Sequence, residues 1–86
     1  MDSADSWRTL FRDWPQSMPR QGLVVTSFQE AIPFVNFMVS DGILLVERDR
    51  PDSANARKVM IAYGAIVAVK ATSTLEFHEY KIMGFE

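Results

Sequence analysis

Five short apolar runs between residues 22 and 71, preceded by one amphipathic segment, confine this chain to few folds. One helix followed by a compressed run of strands predicts a mainly β domain. The expected architecture is an N-terminal helix over 1–14, a five-stranded, strongly bent antiparallel barrel over 22–71, and a tail element over 73–86. The 86-residue length admits one domain, 1–86.

The helix is read from Trp7, Leu10, Phe11 and Trp14, which fall at i, i+3, i+4 and i+7 and form one narrow stripe suited to packing against a core. Ser3, Asp5 and Ser6 are candidate N-caps, and Asp2 and Asp5 suit the positive end of the helix dipole. Pro15 and Pro19 stop the helix, leaving 16–21 as a linker. Arg8 and Arg12 lie on one flank, as a solvated face or as a phosphate contact.

The strands follow as Gly22–Phe28, Pro33–Ser40, Ile43–Arg48, Lys58–Tyr63 and Ala65–Ala71. In the second, alternation puts Val35, Phe37 and Val39 on one face and Phe34, Asn36 and Met38 on the other. Ser40-Asp41-Gly42 reads as a tight hairpin, since Asp-Gly readily takes positive φ. Asp49–Arg57 has loop chemistry, and Gly64 breaks the last two strands apart. In the tail, Ser73-Thr74-Leu75-Glu76 has capping-box spacing and Gly84 reads as a helix C-cap with Phe85 turned back toward Tyr80. A short C-terminal helix is expected there, with a sixth strand as the alternative.

A chain this small buries only about 60–65% of its unfolded surface and is modestly stable alone. The sequence has no cysteine and a single histidine, His78, so neither a disulfide framework nor a thiolate metal site can help. A partner chain remains. Strands one, three and four are apolar on both faces, whereas a small barrel needs only its inner face apolar, and the surplus predicts a subunit interface. A net charge of −2 is not the basic balance of a nucleic-acid binder. The N-terminal residues lack an apolar leader and the longest apolar run, Val59–Val69, is too short to span a membrane, so a soluble cytoplasmic chain is expected.

Catalytic chemistry is hard to assemble from these residues. Nucleophilic catalysis needs an activated Ser, Thr or Cys, and His78 beside Glu79 is the only histidine available to act as base. Asp49, Asp52 and Asn55, with Glu47 before them, match no calcium-loop spacing and alternate with Arg48, Arg50, Arg57 and Lys58. The glycines stand singly at turns, so no phosphate-cradling loop forms. No catalytic residue, metal or cofactor is expected, and the chain is read as a non-enzyme. Tyr63 at the last corner can stack on a base if exposed, or pack in the core.

The order helix, strand, strand, Asp-Gly corner, strand, loop, strand, Gly corner, strand resembles the Sm-like family of SH3-like barrels, including its bacterial Hfq branch. The likeness covers about residues 5–71, and its best local stretch is Val59–Val69, a hydrophobic run meeting a Gly corner. It implies a bent five-stranded sheet, rings closed through strands four and five of neighbours, and RNA bases bound at two corners. Carried over residue by residue, those corners are Asp41 with Gly42, and Tyr63 with Gly64. The family's Met-Asn is absent at the first corner, and the arginine of its Arg-Gly is Tyr63 here. Asp41, Tyr63 and Gly64 are therefore the candidate RNA or ligand contacts. The function expected is a non-catalytic homo-oligomeric binding or scaffold module, RNA-associated or not. The alternative is a small accessory subunit that binds a larger protein through its outer apolar face.

Overall fold

The first structural element begins with Asp2, whose carboxylate accepts the Asp5 N–H at 2.9 Å and caps helix α1, Ser3–Arg12. Asp2 is thus the N-cap, not Ser3, Asp5 or Ser6. The computed structural model describes residues 2–86, and Met1, included in the expected helix, lies outside the described residues. Asp13 closes the helix before Pro15. Phe11 is buried, stacks on Trp14 with centroids 5.5 Å apart, and meets Phe37 edge-on at 5.0 Å. Trp7 and Trp14 also pack on the core. The linker is partly structural: Met18 is buried, and its carbonyl accepts the Trp14 Nε1–H at 3.3 Å.

Six strands follow: β1 Gly22–Thr26, β2 Ala31–Phe34, β3 Asn36–Val39, β4 Ile43–Glu47, β5 Lys58–Ala62 and β6 Ile66–Ala71. They form two antiparallel three-stranded sheets, ordered β2-β1-β6 and β3-β4-β5, with no ladder closing one onto the other among the described residues. The mainly β reading with an N-terminal helix is observed; the count of strands is six instead of five. The expected second strand is divided at Val35. Its N–H donates to the Glu47 carbonyl at 2.8 Å although Asn36 is the residue paired with Glu47, so two residues oppose one, as in a β-bulge. The bulge resets the alternation, so Phe34 and Phe37, assigned to opposite faces, are both buried.

Turns differ in detail from their sequence signals. Neither Asp41 nor Gly42 takes positive φ. Ser40 closes that hairpin instead: its Oγ donates to the Ile43 carbonyl at 2.7 Å and accepts the Ile43 N–H at 3.1 Å. Strand β1 ends at Thr26, and Phe28 is exposed in the turn that follows. In the β4–β5 loop the Asp52 carboxylate accepts the N–H groups of Ala54 and Ala56, which hold it below the usual carboxylate range. The tail forms a 3₁₀ helix, Phe77–Met83, capped by Glu76 and Glu79, not by the Ser73–Glu76 pair, and ended by left-handed Gly84.

The core gathers Val24 and Ile32 from one sheet, Leu44, Val46 and Ile61 from the other, Tyr63 and Ile66 from the last corner, and the aromatic cluster under α1. At Gly22 the sheets leave no room for a side chain, because a Cβ would collide with the Lys70 carbonyl oxygen. One core atom is poorly placed. Thr26 Oγ1 is buried without a hydrogen-bond partner among the described residues, and such a group costs about 1–3 kcal/mol. Thr26→Val, which keeps the β-branched shape, should raise the unfolding free energy by about 1 kcal/mol in urea titrations; an unchanged or lower midpoint would show that the hydroxyl is satisfied.

Candidate functional site

Both corners singled out in the sequence come together beneath α1. Strand β5 ends in a 3₁₀ turn, Tyr63–Ala65, and the Tyr63 N–H donates to the Gly42 carbonyl at 3.3 Å. The Tyr63 hydroxyl donates to the Ser40 carbonyl at 3.1 Å. A Cβ at Gly64 would stand 4.0 Å from the Ala4 side chain, an ordinary contact, so α1 lies directly over this turn. Chain segments more than twenty residues apart thus form one corner around a single phenol.

Tyr63 is a strut there. Its side chain is 2% exposed and belongs to the core cluster, and burial raises its phenol above the ordinary value of 10.0. Stacking on a base requires a ring face in solvent, and this ring offers none. The expected contact at Tyr63 is corrected accordingly: the packed alternative is the one observed. Asp41, by contrast, projects its carboxylate fully into solvent.

Arg8 ties the corner to the helix. Its guanidinium bonds Asp5 Oδ1 at 2.8 Å and the Asp41 carbonyl at 3.4 Å, and lies 3.7 Å from the Asp41 carboxylate. Its Nε is buried and unpartnered among the described residues. Arg12 is nearby, 3.7 Å from Asp13. A depression of about 250 Å³ is lined by Arg8, Arg12, Val39, Ser40 and Asp41. Asp5, Asp13 and Asp41 outnumber the two arginines around it, so the corner does not concentrate positive charge as phosphate binding requires. His78 stands apart in the exposed tail. Among the described residues no group of three or more His, Asp or Glu could hold a metal ion, and no helix is long and apolar enough to cross a membrane.

Two features escaped the sequence reading. The first is a row across the outer face of the second sheet, Met38–Leu45–Met60, aligned by the β3–β4 and β4–β5 registers. Met38 is 65% and Met60 75% exposed. Beside it runs a polar row, Asn36–Glu47–Lys58, in which Lys58 and Glu47 pair at 3.4 Å. Apolar residues on both strand faces signalled the surplus; only the register identifies the row.

The second feature is the contrast between sheet edges. Strand β2 carries Pro33, a poor partner for another strand. Strand β3 is covered at Phe37, whose N–H is taken by Asn36 Oδ1 at 2.9 Å and whose carbonyl is taken by Arg20 at 2.9 Å. Strands β5 and β6 each pair on one side only and contain no proline; β5 opens with Lys58, β6 carries Lys70 and a register break at Val67, and Met60 and Val67 are exposed. Edges without a proline or a side-chain clasp on the backbone are available to a further strand.

Compared with family models, curated proteins and solved structures, the chain matches none of them.

The Tyr63 strut has a measurable consequence. Tyr63→Phe removes one hydrogen bond and should cost about 1 kcal/mol at neutral pH. Because the folded phenol titrates above the unfolded one, its contribution is intact below pH 10.0 and is lost as pH rises toward the folded value. The variant should therefore lose less stability than the parent between pH 8 and 11 in urea titrations; equal losses would show that Tyr63 ionises freely.

Proposed function

We propose that this chain is a non-catalytic, self-associating binding or scaffold module of the Sm-like kind, in which neighbouring copies join β5 to β6. The observation that carries this reading is the pair of edges free of proline and of side-chain clasps, set against two edges that Pro33 and Arg20 protect. The two sheets are read as halves of one bent sheet, hinged at the Val35 bulge and at the Tyr63–Ala65 turn. A surface β5 on one copy and a surface β6 on the next would join these halves between molecules. Such a contact is head-to-tail, and it generates a closed ring when the rotation between copies closes.

Ligand recognition in this reading is assigned to the assembled surface and not to Tyr63. RNA association, which the family resemblance implies, gains no support from the charge around Arg8 and Asp41. A protein or structural role fits that balance better.

A second reading is favoured by one specific observation, the exposed Met38–Leu45–Met60 row. Flexible thioether side chains on an open sheet face suit a hydrophobic partner surface. In that case the chain is a small accessory subunit of a larger protein, obtained at fixed stoichiometry with a second polypeptide, and Met38→Asp should dissociate that complex.

Light scattering after gel filtration tests the first reading. The unsubstituted chain should run above the mass of a dimer, and Met60→Lys with Val67→Lys should reduce it to a monomer with unchanged circular dichroism, since both side chains are exposed. A monomeric unsubstituted chain at micromolar concentration would remove self-association from the account.

A further inference from the structure

Where β6 ends, at Ala71, the tail folds into an open cup of about 650 Å³. Leu75, Phe77, Tyr80 and Phe85 supply apolar and aromatic walls, and Glu86 stands among them together with Lys81 and His78. Phe77 is 94% exposed and Phe85 59%. This is an aromatic surface with one carboxylate, Glu86, on its lining, at the very end of an unpaired edge. Resting on the edge-pairing reading above, we propose that the cup receives the Arg57 guanidinium of a second copy of this chain.

The direction of strand addition leads there. Every ladder in the chain is antiparallel. A β5 strand added antiparallel to β6 brings its first residue, Lys58, to the Ala71 end. The residue before it, Arg57, then passes beyond the strand and enters the space the tail encloses. Parallel addition would instead carry Arg57 toward Ala65, away from the tail.

Charge selects the first arrangement. Residues 73–86 carry Glu76, Glu79 and Glu86 against Lys81, whereas 48–58 carry Arg48, Arg50, Arg57 and Lys58 against Asp49 and Asp52. Most of the loop cations are engaged within the chain. Arg50 stands 3.9 Å from Asp49, Lys58 3.4 Å from Glu47, and Arg48 Nε donates to the Arg50 carbonyl at 3.1 Å. Arg57 has no ion pair within 4.0 Å among the described residues and its side chain is exposed.

Arg57 is also held in place. Its carbonyl accepts the Arg48 N–H at 2.8 Å, and the Asp52 carboxylate closes the loop just before it through Ala54 and Ala56. A guanidinium presented from a formed loop loses less freedom on docking. The chemistry of the contact has an intramolecular counterpart: Arg20 lies over the Phe37 ring at 4.4 Å. In the proposed contact Phe77 takes the part of Phe37, and Glu86 supplies the opposite charge.

The absence of cysteine allows a direct test. Full-length chains carrying Arg57→Cys and Phe77→Cys are mixed and mildly oxidised, and disulfide dimers of one variant with the other should exceed those of like with like. Independently, Arg57→Glu should raise the half-assembly concentration about tenfold, and adding Glu86→Lys should recover most of the loss. An Arg57→Lys chain should remain weakened, because it keeps the charge and loses the planar stack. If Met60→Lys with Val67→Lys dissociates the assembly while the charge swaps leave it unchanged and mixed disulfides do not accumulate, the tail contact is overturned and edge pairing stands. A monomeric unsubstituted chain overturns both.

Discussion

The packing of Phe11 against Phe34 and Phe37 is the contact on which the remaining geometry depends. Phe11 meets Phe34 at 6.4 Å and Phe37 at 5.0 Å, both edge-on. Those two phenylalanines lie three residues apart on an extended chain, where strict alternation would send them to opposite faces. The Val35 bulge brings both inward, and the helix then finds one aromatic floor spanning two sheets. Without the bulge, α1 would cover one sheet only, and the corner under its first turns would have no lid.

That corner separates the roles of residues that look alike on paper. Tyr63 and Asp41 occupy equivalent-seeming positions beside glycines, yet one is sealed in the core and the other fully exposed. The difference follows from the turn geometry. The Tyr63–Ala65 turn points the phenol toward the Ser40 carbonyl across the corner, whereas Ser40 clamps its own hairpin and leaves Asp41 at the tip. Arg8 then spends its donors on Asp5 and the Asp41 carbonyl, an arrangement that braces helix against hairpin.

Much of the fold was legible because its signals are local. The Trp7, Phe11, Trp14 stripe, the strand runs and the Gly84 cap each depend on residues within one or two turns, and each stands close to where it was expected. What was not legible depends on pairing. The bulge at Val35 is set by Glu47, eleven or twelve residues away, and no composition signal marks it. The burial of Tyr63 was one of two open alternatives until the Ser40 carbonyl supplied its hydroxyl with a partner. Asp-Gly signalled a hairpin correctly but for the wrong reason, since a serine hydroxyl closes it without positive φ. The Met38–Leu45–Met60 row combines three strands and can be seen only once their registers are known.

Two clasped edges and two open ones also bear on how such a chain holds its shape. A fold of 86 residues has a small core, and whatever joins its open strands contributes free energy that the isolated molecule lacks. In the proposed assembly stability follows mass action: the folded fraction rises with the number of copies present, and the thermal midpoint moves with concentration. Dilution would act on this chain as a mild denaturant. Edge pairing of the proposed kind would make persistence of the fold a property of the population as much as of the single molecule.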